Sequence, residues 1–547
     1  MTLRIGTRGS DLALWQARHV AGLLGVPTEI VIIKTRGDQI QDVPLSGVEG
    51  KAFFTAEIEQ ALIDNRVDLA VHSFKDLPTE GPKELTVAAV FGRENAQECL
   101  LIAFHAHAPD ALFLPVKRGA KVGTSAPRRA AQLQALRPDL QVEFLRGNVP
   151  TRVKRLREGR YDAVLIARAG LARLGLDLSG LVDITLPQQL LVAAPGQGAL
   201  AVQVRASDSA AVELCRTRLH DPDCAAVVAA ERTLLTHAGG GCSLPLGVSI
   251  TMSDAGFSGL AFLGAGHPTP DSPSRWAAAD AATADEAARK LWECLKTGQP
   301  TGCGPLAGMQ VVLIGSDSAE SSLGSRITAL GGSVRLAPVL RFESVDAGDL
   351  APRLAGLKAG DVLVITSRET ARRLAGLRAP SEVRVAAVGS STARVLTDSG
   401  FPVHVVGSGD ARRLALDLDI RPGCRVLFPC AESAGTDLPE TLVAKGADVE
   451  QVTLYRTRLA DGPIEPPADG EVRVYGSPSA VKAAEALGWE QASGAVRRVA
   501  MGETTAAALE KRNLAHLQAT SSGPDAVIAA LLRLLGLVGL SRQKDSR

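Results

Sequence analysis

A glycine- and proline-rich segment divides the chain and limits how it can fold. Between Lys296 and Gly308 the sequence holds four glycines and two prolines. Gly and Pro oppose regular helices and strands, so this segment predicts a linker, with an apolar strand starting at Val311. A chain of 547 residues also exceeds one ordinary core, since domains commonly hold about 100–200 residues. We therefore predict two modules at 1–295 and 309–540, a linker at 296–308 and a tail at 541–547.

Short apolar runs alternate with helical patterns in the first module. This alternation is typical of parallel sheets covered by helices on both faces. The predicted strands are Ile30–Ile33, Leu69–Val71, Ala163–Ile166 and Ala199–Val204, and the predicted helices are Phe54–Leu62 and Arg128–Leu136. Helical patterns at Ala225–His237 and Ala281–Leu295, with an apolar run at Val248–Ile250, predict a smaller α+β lobe.

The second module contains an internal duplication. Three segments, which begin at Val311, Asp361 and Val388, recur in the same order about 110 positions later. Each segment has a strand–turn–helix pattern. Chance similarity could explain one such repeat, but three repeats in the same order favour a duplication. Repetition at a fixed period indicates repeated structural units. We therefore predict two similar α/β lobes in this module.

Composition excludes several classes of protein. The chain is 46% hydrophobic and 22% charged, which excludes a mostly disordered chain. Aromatic residues make up only 3%, which argues against a stacking platform for nucleic acid. The eight cysteines form no C-x-x-C pair, so neither a zinc nor a redox motif is predicted. No secretory signal or membrane span is predicted, and Ala526–Leu540, which Arg533 interrupts, is expected to be a final core helix. These features favour a cytoplasmic protein.

Positive charge is concentrated in one part of a nearly neutral chain. The net formal charge is +1, but Lys117–Arg173 holds 14 Lys or Arg and four acids. Thr124 and Ser125 precede a predicted helix whose first turn contains Arg128 and Arg129. Arginines fit poorly beside the positive end of a helix dipole unless an anion compensates. Arg146-Gly-Asn-Val-Pro-Thr-Arg152 repeats this strand–turn–Arg pattern, so we predict a site for a polycarboxylate, with a plain basic surface as the alternative.

A second candidate site lies in Val71-His-Ser-Phe-Lys-Asp-Leu-Pro78. Lys75 and Asp76 directly follow an apolar strand, at the sheet edge where open α/β proteins bind ligands. Asp76 could stabilise a cation formed on a substrate or pass a proton to a leaving group. The alternative is an ordinary surface Lys–Asp pair.

A third candidate is Cys242, which follows three glycines. A glycine backbone leaves space around a thiol, and thiolates are the nucleophiles of cysteine chemistry. A small buried cysteine in a turn is the alternative. Gly196-Gln-Gly198 and Gly264-Ala-Gly266 lack the full G-x-G-x-x-G pattern, so a dinucleotide site is only weakly indicated.

Together these segments resemble the hydroxymethylbilane synthase (porphobilinogen deaminase) family over residues 2–295. The resemblance rests on the following segments: Arg4-Ile-Gly-Thr-Arg-Gly-Ser-Asp-Leu-Ala-Leu-Trp-Gln16, His72-Ser-Phe-Lys-Asp76, Gly123-Thr-Ser125 with Arg128-Arg129, Arg146-Gly-Asn-Val149 with Thr151-Arg152, Ala194-Pro-Gly-Gln-Gly198 and Gly240-Gly-Cys242. It implies two lobes like periplasmic binding proteins and a small α+β lobe. We place these lobes at 1–97 with 196–215, at 98–195 and at 216–295.

The resemblance implies a mechanism and roles for the matching residues. A dipyrromethane cofactor on Cys242 would act as primer for four porphobilinogen units, each joined with loss of ammonia, and Asp76 would be the catalytic carboxylate. Implied cofactor-binding residues are Ser73, Lys75, Thr124, Ser125, Arg128, Arg129, Arg146 and Arg152. Implied substrate-binding residues are Arg8, Ser10, Gln16, Lys51, Arg173 and Gln197. Ala126 departs from the family, which usually has serine there. No metal ligand is implied.

Residues 309–535 resemble the uroporphyrinogen-III synthase family through shorter motifs. That family has two similar α/β lobes and cyclises hydroxymethylbilane with loss of water and inversion of ring D. The matching hydroxyl residues are Thr366, Thr392, Tyr455, Ser477 and Thr504, and Tyr455 is the best candidate to assist departure of the hydroxyl group. Each could equally be a helix N-cap or a turn residue.

The sequence leaves three functions open. The first is a bifunctional enzyme of tetrapyrrole (heme) biosynthesis, a monomer with porphobilinogen and hydroxymethylbilane as partners and no membrane or nucleic acid. The second is an anion-binding sensor, which would not need a thiol primer. The third is an active deaminase whose second module serves only as a scaffold.

Overall fold

The chain forms two compact units in the computed structural model. Most of the first unit lies before Gln310, and most of the second lies between Gln310 and Ala530. The structure describes all residues except 1, 36–54, 109–113, 241–243, 265–273, 298–303, 317–320, 347, 349, 408–410, 492–495, 520–522 and 536–547. No helix among the described residues is long and apolar enough to cross a bilayer.

The first sheet has five strands in the order β2-β1-β3-β10-β4. Strand β1 runs parallel to β2 and β3, whereas β10 runs antiparallel to β3 and β4. Apolar side chains of these strands, such as Ile5, Leu69 and Val202, pack against the helices in a shared core. The strands are β1 Leu3–Thr7, β2 Thr28–Ile32, β3 Leu69–Ser73, β4 Leu85–Phe91 and β10 Leu200–Arg205, and the helices are α1 Asp11–Leu24, α2 Ala56–Ile63 and α6 Ser209–Leu219.

A second five-stranded sheet has the order β7-β6-β8-β5-β9. Strand β6 is parallel to β7 and β8, and β5 is antiparallel to β8 and β9. The strands are β5 Glu98–Ala103, β6 Lys121–Thr124, β7 Gln141–Phe144, β8 Ala163–Ala167 and β9 Leu181–Leu186, and the helices are α3 Pro127–Leu136, α4 Val149–Arg157 and α5 Arg168–Leu174.

The prediction of parallel sheets is wrong for two strands. The chain crosses from the first sheet to the second between β4 and β5, and it returns just before β10. A parallel neighbour requires a crossover within one sheet, but β5 and β10 each enter from the other sheet and run antiparallel to both neighbours. The two crossing segments touch where Glu94 N donates to Gly198 O at 3.1 Å. Gly198 has φ +91°, and a Cβ there would collide with the Glu94 carbonyl, so glycine is required.

A three-stranded antiparallel sheet completes the first unit. Its order is β11-β12-β13, and it packs against α7 and α8 through residues such as Leu234, Val248 and Leu291. The predicted strand and both helices of the small α+β lobe are confirmed, but the second helix starts at Ala284 because β13 continues to Ala281. The elements are β11 Leu246–Ser253, β12 Gly256–Leu263, β13 Arg275–Ala281, α7 Pro222–His237 and α8 Ala284–Thr297.

The second unit is built on one ten-stranded sheet with a symmetric order. The order is β18-β17-β16-β19-β20-β15-β14-β21-β22-β23. The antiparallel pair β15–β20 lies at its centre, and the strands of the predicted duplication occupy matching places on either side. Thus β14 corresponds to β19, β16 to β21 and β17 to β22. The first strand of each repeat therefore pairs with the later strands of the other repeat.

The bounds of these elements follow. The strands are β14 Gln310–Ser316, β15 Ser333–Ser344, β16 Val362–Ile365, β17 Arg384–Ala387, β18 Val405–Val406, β19 Arg425–Ala431, β20 Asp448–Leu459, β21 Val472–Tyr475, β22 Arg498–Ala500 and β23 Leu517–Gln518. The helices are α9 Ser321–Ala329, α10 Leu350–Ala355, α11 Arg368–Arg373, α12 Ser390–Asp398, α13 Ala411–Asp417, α14 Asp437–Ala444, α15 Pro478–Ala486, α16 Glu503–Glu510 and α17 Pro524–Leu534. Helix α17 corresponds to the expected final core helix.

Candidate active site

The predicted site residues of the first unit lie where parallel strands end. Arg8 follows β1, Lys75 and Asp76 follow β3, Ser125 follows β6, and Arg146 follows β7. Loops at the carboxyl ends of parallel strands meet at one sheet edge, where open α/β sheets bind ligands. The predicted positions of Asp76, Ser125 and Arg146 at strand ends therefore agree with the structure.

One cavity brings together five of the predicted residues. Arg8, Ser10, Gln16, Ser73 and Asp76 line it, together with Thr55 and His72. The amide Nε2 of buried Gln16 donates to Ser73 Oγ at 2.8 Å, which fixes both side chains. Ser10 caps α1 by accepting from Ala13 N at 3.4 Å.

Asp76 is presented to solvent by a short 3-10 turn. The turn spans Phe74–Asp76, with Phe74 buried beneath it and the Asp76 side chain exposed. Phe74 N donates to Ala199 O at 3.0 Å, and Leu77 N closes the turn on Phe74 O at 3.2 Å. The backbone thus holds the carboxylate at the edge of the cavity, where it can face a cationic group.

A buried carboxylate that the sequence did not single out organises the predicted cations. Glu98 is fully buried, and its two oxygens accept from Arg128 Nη2 and Arg129 Nη2, each at 2.6 Å. Gln197 Nε2 donates to the same carboxylate at 3.2 Å, and Gln197 Oε1 accepts from Lys75 Nζ at 3.0 Å. Burial opposes ionisation of Glu98, but the charges of Arg129 and Arg128 outweigh it and keep its pKa low.

The remaining cations surround this network. Arg152 donates from Nη2 to Ser125 Oγ at 3.2 Å and from Nε to Gly147 O at 2.8 Å. Burial lowers the pKa of Arg152 to about 10, the charge of Arg129 adds to the effect, and Asp76 opposes it. Burial and the charge of Arg8 likewise lower the pKa of Arg146. These mutual effects indicate that charged groups from the two sheets lie near one another.

Two predicted site residues of the first unit, Arg173 and Thr124, and the departing residue Ala126 have partners or positions apart from this network. Arg173 Nη2 donates to the Gly92 and Gly198 carbonyl oxygens at 3.0 and 2.6 Å, and its guanidinium lies 5.7 Å from the Trp15 ring centroid. It thus contacts both crossing segments. Thr124 Oγ1 accepts from Ala126 N at 3.2 Å. Ala126 is the N-cap of α3 and makes no side-chain capping bond.

Lys51 and Cys242 lie outside the described residues. The described backbone leads towards Cys242 through Gly239 and Gly240, both in the left-handed region with φ +95° and +61°. Within the described ranges, no group of three or more His, Cys, Asp or Glu side chains could hold a metal ion.

In the second unit, the predicted hydroxyl residues fall at strand ends and helix starts. Ser477 caps α15 by accepting from Ala480 N at 3.2 Å, so the N-cap alternative holds for it. Thr366 follows β16, Thr392 is buried in α12, and Thr504 is exposed in α16. These positions alone assign no chemistry to the residues.

Tyr455 is buried near the centre of the ten-stranded sheet. It is 4% exposed, and its hydroxyl lies 3.0 Å from Ser367 Oγ, which in turn lies 2.8 Å from Thr370 Oγ1. The Arg373 guanidinium lies 5.0 Å from the tyrosine ring centroid. Burial raises the pKa of Tyr455, so the phenol stays protonated near neutral pH and can donate a hydrogen bond.

Comparisons with known proteins agree with this geometry. The family model "Porphobilinogen deaminase, dipyromethane cofactor binding domain" matches residues 3–213. The porphobilinogen deaminase of Trichlorobacter lovleyi is 44% identical over 256 residues, which cover 46% of this chain and 79% of that protein. The enzyme of Syntrophomonas wolfei is 46% identical over 249 residues, with 45% and 79% covered.

This chain belongs to the porphobilinogen deaminase family. The model "Uroporphyrinogen-III synthase HemD" matches residues 321–529, so the deaminase domain is followed by a second enzyme domain. A crystal structure of uroporphyrinogen-III synthetase from Helicobacter pylori is 18% identical, covers 42% of this chain and 99% of that chain, and has a TM-score of 0.31.

Two buried features of the deaminase domain were missed in the sequence. Glu98 is the acid that opens a fully apolar strand, and Glu231-Arg232 interrupts the apolar run Ala225–Leu235 of α7. Glu98 belongs to a fully buried strand, and Glu231 lies on the buried face of α7. Both are informative because buried charges are rare unless paired. That signal was available, but the partners could not be assigned without the fold.

The titration of Lys75 provides a first test of the site. Burial lowers the pKa of Lys75 from its ordinary 10.5 to about 8, while Asp76 opposes the shift. Its ammonium charge is therefore lost as pH rises through about 8. We expect kcat/KM for a carboxylated substrate to fall above that pH by up to about tenfold per pH unit. Lys75→Arg should remove this alkaline limb, that is, the fall of kcat/KM above about pH 8, and the surface variant Lys121→Arg should keep it. Persistence of the limb in Lys75→Arg would exclude this role.

Replacement of Glu98 tests the buried network. Glu98→Gln keeps the size of the side chain but leaves two buried guanidiniums without their countercharge. Since breaking a buried ion pair commonly destabilises by about 3–5 kcal/mol, we expect a loss of that order in the free energy of unfolding, measured by denaturant titration. Glu143→Gln removes a surface partner of Lys121 at 3.3 Å and should change stability by less than about 1 kcal/mol. Equal effects of the two substitutions would contradict the role given to Glu98.

Proposed function

We propose that this chain catalyses two consecutive steps of tetrapyrrole biosynthesis. The observation that carries the proposal is the order of the two family matches, with residues 3–213 matching a deaminase and residues 321–529 matching a uroporphyrinogen-III synthase. The first domain joins four porphobilinogen units into hydroxymethylbilane with release of ammonia. The second closes that product to uroporphyrinogen III with loss of water and inversion of ring D.

The cations of the first domain fit a ligand that gains carboxylates as it grows. Each porphobilinogen unit brings two carboxylates, and guanidinium groups bind carboxylates through paired hydrogen bonds. Arg8 and Arg146 follow strands of different sheets, and the charge of Arg8 lowers the pKa of Arg146, so the two cations lie near each other. We assign substrate carboxylates to Arg8, Arg173 and Lys51, with Ser10, Gln16 and Gln197 supplying neutral polar contacts.

The residues present also fit the dipyrromethane cofactor of the family model. The fit rests on the donor set and on Arg129 Nε, a buried N–H donor with no partner among the described residues. Ser73, Lys75, Thr124, Ser125, Arg128, Arg129, Arg146 and Arg152 would hold its carboxylates, and Cys242 would hold it covalently. When bound, it supplies the pyrrole end to which the first substrate unit is joined.

We assign Asp76 to the reacting centre. Departure of ammonia from porphobilinogen leaves a cation delocalised over the pyrrole ring. An exposed carboxylate fixed by a short turn stabilises such a cation, and it can also receive or return a proton at the departing amine. Arg128, Arg129 and Arg152 are held by Glu98 and by protein carbonyl groups. Asp76 is the exposed acid among the residues that line the described cavity.

For the second domain we propose that folding of the bound substrate provides most of the rate enhancement of the cyclisation. Tyr455 is the candidate donor to the departing hydroxyl, and Thr366, Thr392, Ser477 and Thr504 are proposed to contact the substrate. The Ser367 and Thr370 hydroxyls orient the Tyr455 hydroxyl. Correct placement of the ends of a flexible substrate lowers a cyclisation barrier by itself, so loss of a single hydroxyl should have a modest effect.

The finer architecture belongs to the same proposal. We place two periplasmic-binding-protein-like lobes at 1–97 with 196–215 and at 98–195, and the α+β lobe at 216–295. The linker is 296–308, the synthase domain of two similar lobes is 309–540, and the tail is 541–547. We further propose a monomeric cytoplasmic enzyme that binds neither nucleic acid nor membranes.

Product analysis tests the bifunctional assignment. Incubation with porphobilinogen, followed by oxidation and separation of the isomers, should give mainly isomer III from the wild-type chain. Tyr455→Phe should shift the ratio towards isomer I, which forms when hydroxymethylbilane closes unaided.

Asp76→Asn should release ammonia at under about 1% of the wild-type rate while keeping the fold, because this step loses its electrostatic stabilisation.

Each arm has its own contradictory result. Predominance of isomer I from the wild-type chain would leave the second domain as a scaffold. Binding of porphobilinogen without release of ammonia would favour a sensor. Near-normal turnover by a folded Asp76→Asn variant would remove Asp76 from the mechanism.

A further inference from the structure

One arginine outside the predicted site donates hydrogen bonds to the backbone of the turn that carries Asp76. Arg232, on α7, donates from Nη1 to Phe74 O at 3.2 Å and to Leu77 O at 3.0 Å, and from Nη2 to Pro78 O at 2.5 Å. Its guanidinium carbon also lies 4.5 Å from the Phe74 ring centroid. A single side chain therefore contacts the backbone on both sides of Asp76.

These contacts supply rigidity that the turn itself lacks. The three-residue turn is closed by one backbone hydrogen bond, from Leu77 N to Phe74 O. A guanidinium has five N–H donors in one plane, so it can hold several carbonyl groups in a fixed relative orientation. A lysine ammonium is a point donor on a flexible stem and cannot reproduce this arrangement.

The neighbouring residue fixes the helix from which Arg232 projects. Glu231 is fully buried, and its carboxylate accepts from Gly196 N at 2.7 Å, Ile250 N at 2.8 Å and Arg93 Nη2 at 2.6 Å. Gly196 and Arg93 belong to the two crossing segments, and Ile250 belongs to β11. Helix α7 is therefore anchored to the crossing segments on one side and to the three-stranded sheet on the other.

The same helix leads into the segment that carries Cys242. Helix α7 ends at His237, five residues before that cysteine. The predicted point of covalent attachment thus follows a helix that also grips the Asp76 turn. Arg232 joins this helix directly to the Asp76 turn.

We propose that Arg232 is a positioning residue for the ammonia-releasing step. Its hydrogen bonds fix the position of the Asp76 turn relative to α7. Helix α7 belongs to the proposed lobe that carries the covalent attachment point. Arg232 itself contacts only the protein. The proposal rests on the function proposed above for the first domain.

Kinetics of primed enzyme test this role. Arg232→Lys and Arg232→Met should lower kcat for ammonia release, because a displacement of about 1 Å at a reacting group can reduce a rate about a hundredfold. We expect an approximately tenfold loss for Lys and an approximately hundredfold loss for Met. KM for porphobilinogen should stay within about threefold of wild type, because substrate carboxylates bind elsewhere. Rates are normalised to the fraction of protein that carries the primer by intact mass.

Matched variants separate positioning from general destabilisation. Arg289→Lys and Arg289→Met change an exposed arginine on α8 of the same lobe and should leave kcat unchanged. Phe74→Leu removes the ring beneath the guanidinium. Because Phe74 and Arg232 restrain the same turn, the double variant Arg232→Met/Phe74→Leu should lose less activity than the product of the two single losses.

Three results would overturn the proposal. They are an unchanged kcat per primed enzyme with only a lower melting temperature, a raised KM at wild-type kcat, and loss of the primer mass from the Arg232 variants. Each requires a wild-type chain that converts porphobilinogen. A wild-type chain that does not convert porphobilinogen would instead refute the proposed function itself.

Discussion

The pairing of two buried guanidiniums with the single carboxylate of Glu98 underlies the arrangement of the deaminase site. Arg128 and Arg129 are each 5% exposed, and an unpaired charge at such depth is strongly unfavourable. A single carboxylate that contacts both arginines offsets part of that penalty and restrains both guanidinium groups. Through Gln197 the same carboxylate is linked to Lys75. The cations are therefore held in place before a ligand arrives, which reduces the ordering cost of binding.

This arrangement also explains how a nearly neutral chain can bind a polyacid. Glu98 offsets part of the charge at the base of the site, and Arg8, Arg146 and Arg152 contribute further cations from the two sheets. A ligand that acquires two carboxylates with each added unit meets cations contributed by both sheets. Asp76 lies at the edge of this region, on a turn whose backbone accepts hydrogen bonds from Arg232.

The sequence predicted the elements well and the contacts poorly. Periodicity located β3, β8 and α3 because their apolar residues face a core. The duplication predicted two similar lobes, but not that the repeated strands would share one ten-stranded sheet. The direction of β5 and β10 was missed, since strand direction depends on where the chain crosses between sheets. The position of Arg146 followed from a strand–turn pattern, and Arg8 was named through the family resemblance. The pairing of Glu98 with Arg128, 30 positions apart, leaves no local signal. In the second domain, Ser477 has the features of both a cap and a ligand, so the residue type alone could not decide between them.

The central claim is that these cations surround a polycarboxylate primer attached to Cys242, and intact-protein mass spectrometry tests it most directly. The purified wild-type chain should be heavier than its sequence by one dipyrromethane. Cys294→Ser, at a partly exposed cysteine, should retain that excess, and Cys242→Ser should lose it. A wild-type mass equal to that of the bare sequence, or an adduct that persists in Cys242→Ser, would contradict the account.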